Sequence, residues 1–140
     1  MTGPNRVSKS KAKGTAWERR LVEHFKTRGF PWAERRALEG TNDRGDIAGL
    51  PGVVIEAKNA KRVELAGWVD EMIVEKRNAR ATIGAVIFPR RSHATGRAFV
   101  VMELDQFIDL LGDDLILGRV KVPSVAAQNL YEDGRMAADE

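Results

Sequence analysis

The chain contains no cysteine. That removes disulfides, thiolate zinc sites and a cysteine nucleophile, and it accords with a reducing interior. Histidine is almost as scarce: the two present, His24 and His93, share no ligand spacing, so a zinc site is not expected. No apolar run approaches the ~20 residues that a spanning helix needs, so no membrane partner is expected. The opening stretch, Met1–Lys13, is basic and polar and lacks the apolar core of an export signal; a cytoplasmic location is the expectation. Gly40, Gly45, Gly49 and Gly52 are too scattered for a phosphate-cradling loop, and no Gly-Lys-Ser/Thr follows them. Ser92-His93 does not sit in a nucleophile elbow.

What is present is a chain of 140 residues, 43% hydrophobic and 31% charged, the length and composition of one ordinary globular domain. Its net charge of +3 is unevenly spread. Residues 1–36 carry ten Lys/Arg against three Asp/Glu, and residues 101–140 carry three against nine. A basic head suits a polyanion such as nucleic acid, and it equally suits a solvated surface. Three regions are expected: a basic flexible arm (1–12), a folded domain (13–120) and a partly disordered acidic tail (121–140).

Periodicity supplies the elements. Ala16, Trp17, Leu21, Val22 and Phe25 share one side of a helix over Gly14–Arg28, closed by Gly29. Trp32–Arg36 is short and extended, and Leu38–Arg44 has turn chemistry. Asp46–Leu50 and Val53–Lys58 are two short strands around Pro51-Gly52, which predicts a hairpin. A second helix, Val63–Ala79, puts Leu65, Trp68, Val69, Met72 and Ile73 on one face, with Lys76 snorkelling beside them. Strands at Gly84–Phe88 and Arg97–Glu103 follow, then a short helix at Asp105–Leu111. The order predicts an α/β fold, a mixed sheet with helices on both faces.

Chemistry collects around the predicted hairpin. Side chains alternate along a strand, so Val53, Ile55 and Ala57 face one way while Glu56 and Lys58 share the other. A hairpin brings Asp46 to the same end. Two carboxylates on rigid strands suit a hard divalent cation, and a neighbouring ammonium can offset phosphoryl charge or orient a water. The plainer alternative is a surface Glu56–Lys58 salt bridge, which is common and worth little. Glu18 lies between Phe25 and Val22 in the apolar stripe of the first helix, where a carboxylate needs a partner, a proton or a metal. An arginine such as Arg36 or Arg44 would serve as well.

Together these residues resemble the PD-(D/E)xK nuclease superfamily: Gly45-Asp46, nine intervening residues, then Glu56-Ala57-Lys58, with Gly45 where the motif has proline. Upstream, Lys13-Gly14-Thr15-Ala16-Trp17-Glu18-Arg19-Arg20 is similar to the Lys-Gly-x-x-x-Glu-Arg signature opening the archaeal-type Holliday-junction resolvases. Arg28-Gly29-Phe30, Arg35-Arg36, Gly40-Thr41 and Gly45-Asp46-Ile47-Ala48-Gly49 follow in the same order, so the similarity runs from about Ser10 to Lys58.

The resemblance implies a restriction-endonuclease-like fold and a homodimer that nicks opposing strands of a four-way junction. It implies Mg²⁺, with Mn²⁺ able to substitute, held by Asp46, Glu56, the Ala57 carbonyl and Glu18. Lys58 would position the attacking water, and no small-molecule cofactor is implied. Lys9, Lys11, Lys13, Arg19, Arg35, Arg36, Thr41, Arg44, Lys61, Arg62, Arg90 and Arg91 are the candidates for contact with branched double-stranded DNA. Three alternatives stand beside this: a repair or flap nuclease on the same scaffold, a DNA-binding module without activity, and an interaction protein using the acidic tail.

Overall fold

The structure, a computed structural model, describes residues 9–36 and 43–116. The first helix, α1, runs Lys9–Thr27, and two short strands, β1 (Glu34–Arg35) and β2 (Ile47–Ala48), follow it. Next come β3 (Val53–Ala57), α2 (Leu65–Asn78), β4 (Ile83–Phe88), a 3₁₀ turn at Thr95–Arg97, β5 (Phe99–Val101) and α3 (Leu104–Ile116). The fold is mixed α/β, with a three-stranded sheet of order β3-β4-β5 and a two-stranded sheet of β1 and β2. Strands β3 and β4 are parallel, and β5 is antiparallel to β4. Parallel neighbours need a crossover, and α2 provides it.

Strand alternation divides the core into two layers. Ile55, Ala85 and Ile87 pack with Trp17, Leu21 and Val22 of α1. Val86 packs on the opposite face with Trp68 and Met72 of α2. Burying Trp17 to 1% exposure contributes on the order of 2–3 kcal/mol by area alone. Its indole N–H donates to the Ile87 carbonyl at 3.1 Å, satisfying a group that burial would otherwise penalise. On the other side, a Cβ at Gly84 would run into the Met72 sulfur, so only glycine lets α2 approach β4 this closely.

Several expectations need correction. Residues 9–12 are helical rather than a flexible arm; Lys-Ser-Lys-Ala contains good helix formers and no breaker. The hairpin across Pro51-Gly52 is a turn without a ladder. Val53 N–H closes on the Leu50 carbonyl at 3.1 Å, but β2 pairs with β1 instead. Away from that turn, Asp46 N–H reaches β3 at the Ile55 carbonyl, at 2.9 Å. The strand expected over Arg97–Glu103 is confined to Phe99–Val101, because the 3₁₀ turn takes Arg97.

The chain divides into two compact units, residues 1–103 and 104–140. The rest of the basic arm (residues 1–8), Thr41 and the acidic tail lie outside the described residues. Among those described, no helix is long and apolar enough to cross a membrane.

Candidate active site

The site is assembled at the C-terminal end of β3. Asp43 Oδ1 accepts the Gly45 N–H at 2.9 Å, folding the approach into an Asx turn, and Asn78 of α2 donates to the Asp43 carbonyl at 2.9 Å. Gly45 sits at φ +91°, and a Cβ there would lie 2.9 Å from the Ile55 carbonyl oxygen. Proline, locked near φ −65°, cannot adopt that conformation, which accounts for glycine before the aspartate. Asp46 is then held from three sides. Its N–H donates to Ile55, its carbonyl accepts the Arg36 N–H at 2.8 Å, and its Oδ2 accepts the Ala57 N–H at 2.7 Å. The carboxylate takes a ladder hydrogen bond that a neighbouring strand would otherwise supply, so it is fixed beside β3.

Glu56 leaves β3 on the face covered by α2 and is only 6% exposed. Its Oε1 accepts from the Lys58 ammonium at 3.0 Å, and the same ammonium bonds Glu71 of α2. Burial works against the charged form of Lys58, but the bonds from Glu71 and Glu56 outweigh it and hold its pKa above the ordinary lysine range. Lys58 is therefore a fixed cation.

Glu75 was not among the site residues expected from sequence. It is 4% exposed on α2, hydrogen-bonds Glu56 as a carboxylic acid, and its Oε2 has no partner. Burial, then the hydrogen bond and charge of Glu56, push its pKa to about 10. Asp46 is raised to about 7 by burial and by Glu56, against the lowering effect of the Ala57 N–H, with Glu18 and Asp43 adding to the rise. A signal for Glu75 was present: with Trp68 and Met72 it continues the i, i+4, i+7 stripe that drew attention to Glu18. Lys76, singled out instead, is half-buried and flanks Gly84.

Glu18 stands at the edge of this group. Its carboxylate bonds Arg35 Nε at 2.8 Å, and its charge still reaches Asp46. The arginine partner expected from sequence is thus Arg35, neither Arg36 nor Arg44. The remaining predicted contacts scatter. Arg36 turns into a separate cleft with Phe30 and Trp32, its Nε buried without a partner. Lys61, Arg90 and Arg91 line a groove with Trp68 and Phe99, and Lys13 joins Arg90 and Arg91 in another cleft. Lys9, Lys11, Arg19, Arg44 and Arg62 are exposed.

Among the described residues, no group of three or more His, Asp or Glu side chains is placed to hold a metal ion. The donor chemistry nevertheless fits a hard divalent ion: oxygen donors only, and one buried carboxyl oxygen left unpartnered. Acids held neutral by one another are what an added dication would relieve. Asp46 and Glu56 are the carboxylates that would hold it. Ala57 sends its N–H toward Asp46, and its carbonyl leaves the strand on that same side. No family model matches the chain, and no curated protein or solved structure matches it.

Proposed function

We propose that this chain is a metal-dependent endodeoxyribonuclease of the PD-(D/E)xK type with a restriction-endonuclease-like fold, cutting branched DNA, with the four-way junction as its foremost substrate. The observation that carries the reading is the Ala57 N–H bond to Asp46 Oδ2, which fixes one carboxylate beside Glu56 and Lys58 without either strand having to move. Positioned carboxylates, a fixed ammonium and no cysteine or histidine nucleophile suit attack by water on phosphorus. The bond formed is from water oxygen to phosphorus, and the bond broken is from phosphorus to the leaving sugar oxygen.

A bound Mg²⁺, or Mn²⁺ in its place, would supply Lewis-acid polarisation and charge neutralisation. The chain's own residues do the rest. Asp46 and Glu56 present carboxyl oxygens, and Glu75 holds Glu56 in place by donating to it. Lys58, a cation at neutral pH, donates to a non-bridging phosphate oxygen and offsets the charge gathering there. Glu18 contributes by holding Arg35 in an ion pair. The basic residues of α1 and of the loop after β4 support shape-directed backbone contact without base readout. A homodimer acting on both strands and a cytoplasmic setting complete the proposal.

The test offers a four-way junction, a flap, a nicked duplex and a linear duplex side by side with Mg²⁺, with the Glu56→Gln variant as control. Cutting confined to the junction is expected. Equal cutting of all four would remove the junction assignment, and a preference for the flap would favour a repair nuclease. One observation favours a module that binds without cutting: Lys58 is already ion-paired to both Glu56 and Glu71. That reading predicts junction binding with no cleavage in Mg²⁺ or Mn²⁺.

A further inference from the structure

We infer that the cleft between α1 and the loop after β4 is a phosphate-binding subsite for a nucleic-acid strand passing beside the carboxylates. It rests on the nuclease reading only for the identity of the neighbouring site. The cleft is about 230 Å³ and is lined by Lys13 and Arg20 of α1 and by Arg90, Arg91, Ser92 and His93 of the loop. No Asp or Glu lines it. Four basic side chains line one small cleft with no carboxylate among its lining residues, which favours an anion there. The volume lies below the roughly 300 Å³ at which drug-sized ligand pockets begin, which suits a tetrahedral phosphodiester better than a larger acid. Arginine forks match that group bidentately.

The cleft is held in shape by its surroundings. The Arg20 guanidinium stacks 5.1 Å from the centre of the Trp17 ring, and Trp17 is buried and bolted to the Ile87 carbonyl. The loop is closed by the His93 N–H to the Arg90 carbonyl at 3.2 Å, with Ser92 at φ +61°. His93 Nδ1 lies 2.8 Å from the Arg91 carbonyl, which fixes the ring. A left-handed serine persists only where its neighbours hold it.

The position is also informative. The Ile87 carbonyl that accepts from Trp17 also accepts the Lys58 N–H at 3.0 Å, and Asn59, the next residue, lines the cleft. The subsite therefore takes in the residue after Lys58, just past the C-terminal end of β3, where a neighbouring phosphate of the same strand would pass. Arg20 was not among the contacts expected from sequence.

The decisive measurement is binding of a fluorescein-labelled four-way junction to the full chain carrying Glu56→Gln, without metal, across a salt series. Arg20→Gln and Arg91→Gln are each expected to reduce the slope of log affinity against log salt by about 0.9, one phosphate contact. Inorganic sulfate should compete with the junction for the parent and less for the double variant. Arg77→Gln, on exposed α2 surface away from the cleft, should leave the slope unchanged. An unchanged slope in Arg91→Gln, or an equal drop in Arg77→Gln, overturns the subsite, as does a polyglutamate peptide that competes better than sulfate. Should Arg20→Gln fail to fold for want of its stack on Trp17, Lys13→Gln replaces it with the same expected drop. Reduced slopes alongside a parent chain that does not cut would sink the nuclease reading and leave the subsite. Cutting by the parent with unchanged slopes would do the reverse.

Discussion

Glu75 hydrogen-bonds Glu56 across the α2–β3 interface, and both carboxyl groups are almost fully buried. Two such groups cannot both ionise cheaply, so the pair holds a proton at neutral pH. Asp46, raised to about 7 by burial and by the charge of Glu56, adds a second group that resists ionisation.

Stability should therefore fall with rising pH in the absence of metal. Both folded-state pKa values lie above their ordinary ones, about 7 against 3.8 for Asp46 and about 10 against 4.5 for Glu75. The folded chain then keeps protons that the unfolded chain releases. This contribution is complete below about pH 4, shrinks as pH rises through 7, and is lost toward 10. Urea midpoints without metal are expected to be lower at pH 8.5 than at pH 5.5. Mg²⁺ should narrow the gap, and Glu75→Gln should flatten its alkaline part. Equal midpoints at the two pH values in the parent would contradict the shared proton.

Asp46→Asn and Glu56→Gln should each lower junction cleavage by at least about a hundredfold, several kcal/mol of lost charge stabilisation, while junction binding persists. Asn retains an oxygen able to accept the Ala57 N–H, so Asp46→Asn tests charge with the local geometry kept. Single-turnover cleavage with parallel binding measurements separates the two effects. A variant cutting at the parental rate would remove that carboxylate from the site.

The sheet side of the site was legible because alternation is local: Glu56 and Lys58 share a face whatever surrounds them, and they form an ion pair. The two-sided core followed equally from the stripes of the two helices. Long-range substitutions were not legible. Pro51-Gly52 signalled a turn, but no local pattern says that β2 pairs with β1 or that an aspartate side chain takes the place of a backbone acceptor. Glu75 was only half legible, and for a different reason. A charged residue late in a stripe reads as a surface residue until the strand opposite is known, and that strand places Glu56 beneath it. Arg35 as the partner of Glu18 likewise depends on where β1 docks.

Gly45 should tolerate no side chain. Gly45→Ala places a Cβ 2.9 Å from the Ile55 carbonyl in a backbone held at φ +91°. The expected cost is about 1–3 kcal/mol, seen as a lower midpoint in chemical unfolding. Restoring the motif's proline, Gly45→Pro, should be worse, because the ring forbids the observed φ and so displaces Asp46. A proline variant with parental stability and cleavage would mean that the Asp46 loop is not held as described.

Lys58 offers the sharpest choice between two chemical roles. As a general base it would have to be neutral, yet Glu56 and Glu71 hold it in its charged form. As a cation it need only keep its charge. Lys58→Gln removes the charge and leaves Glu56 and Glu71 without a counter-ion, so cleavage should fall by about 10²–10³-fold, in the range seen when one preorganised donor is lost. Lys58→Arg keeps the charge and cannot act as a base near neutrality, so it should retain measurably more cleavage than Lys58→Gln despite its wider head. The pH–rate profile of the parent should rise as Asp46 loses its proton near 7, with no second rise from Lys58 at alkaline pH. Equal inactivity of the arginine and glutamine variants, together with a rate climbing toward pH 10, would assign Lys58 the base role instead.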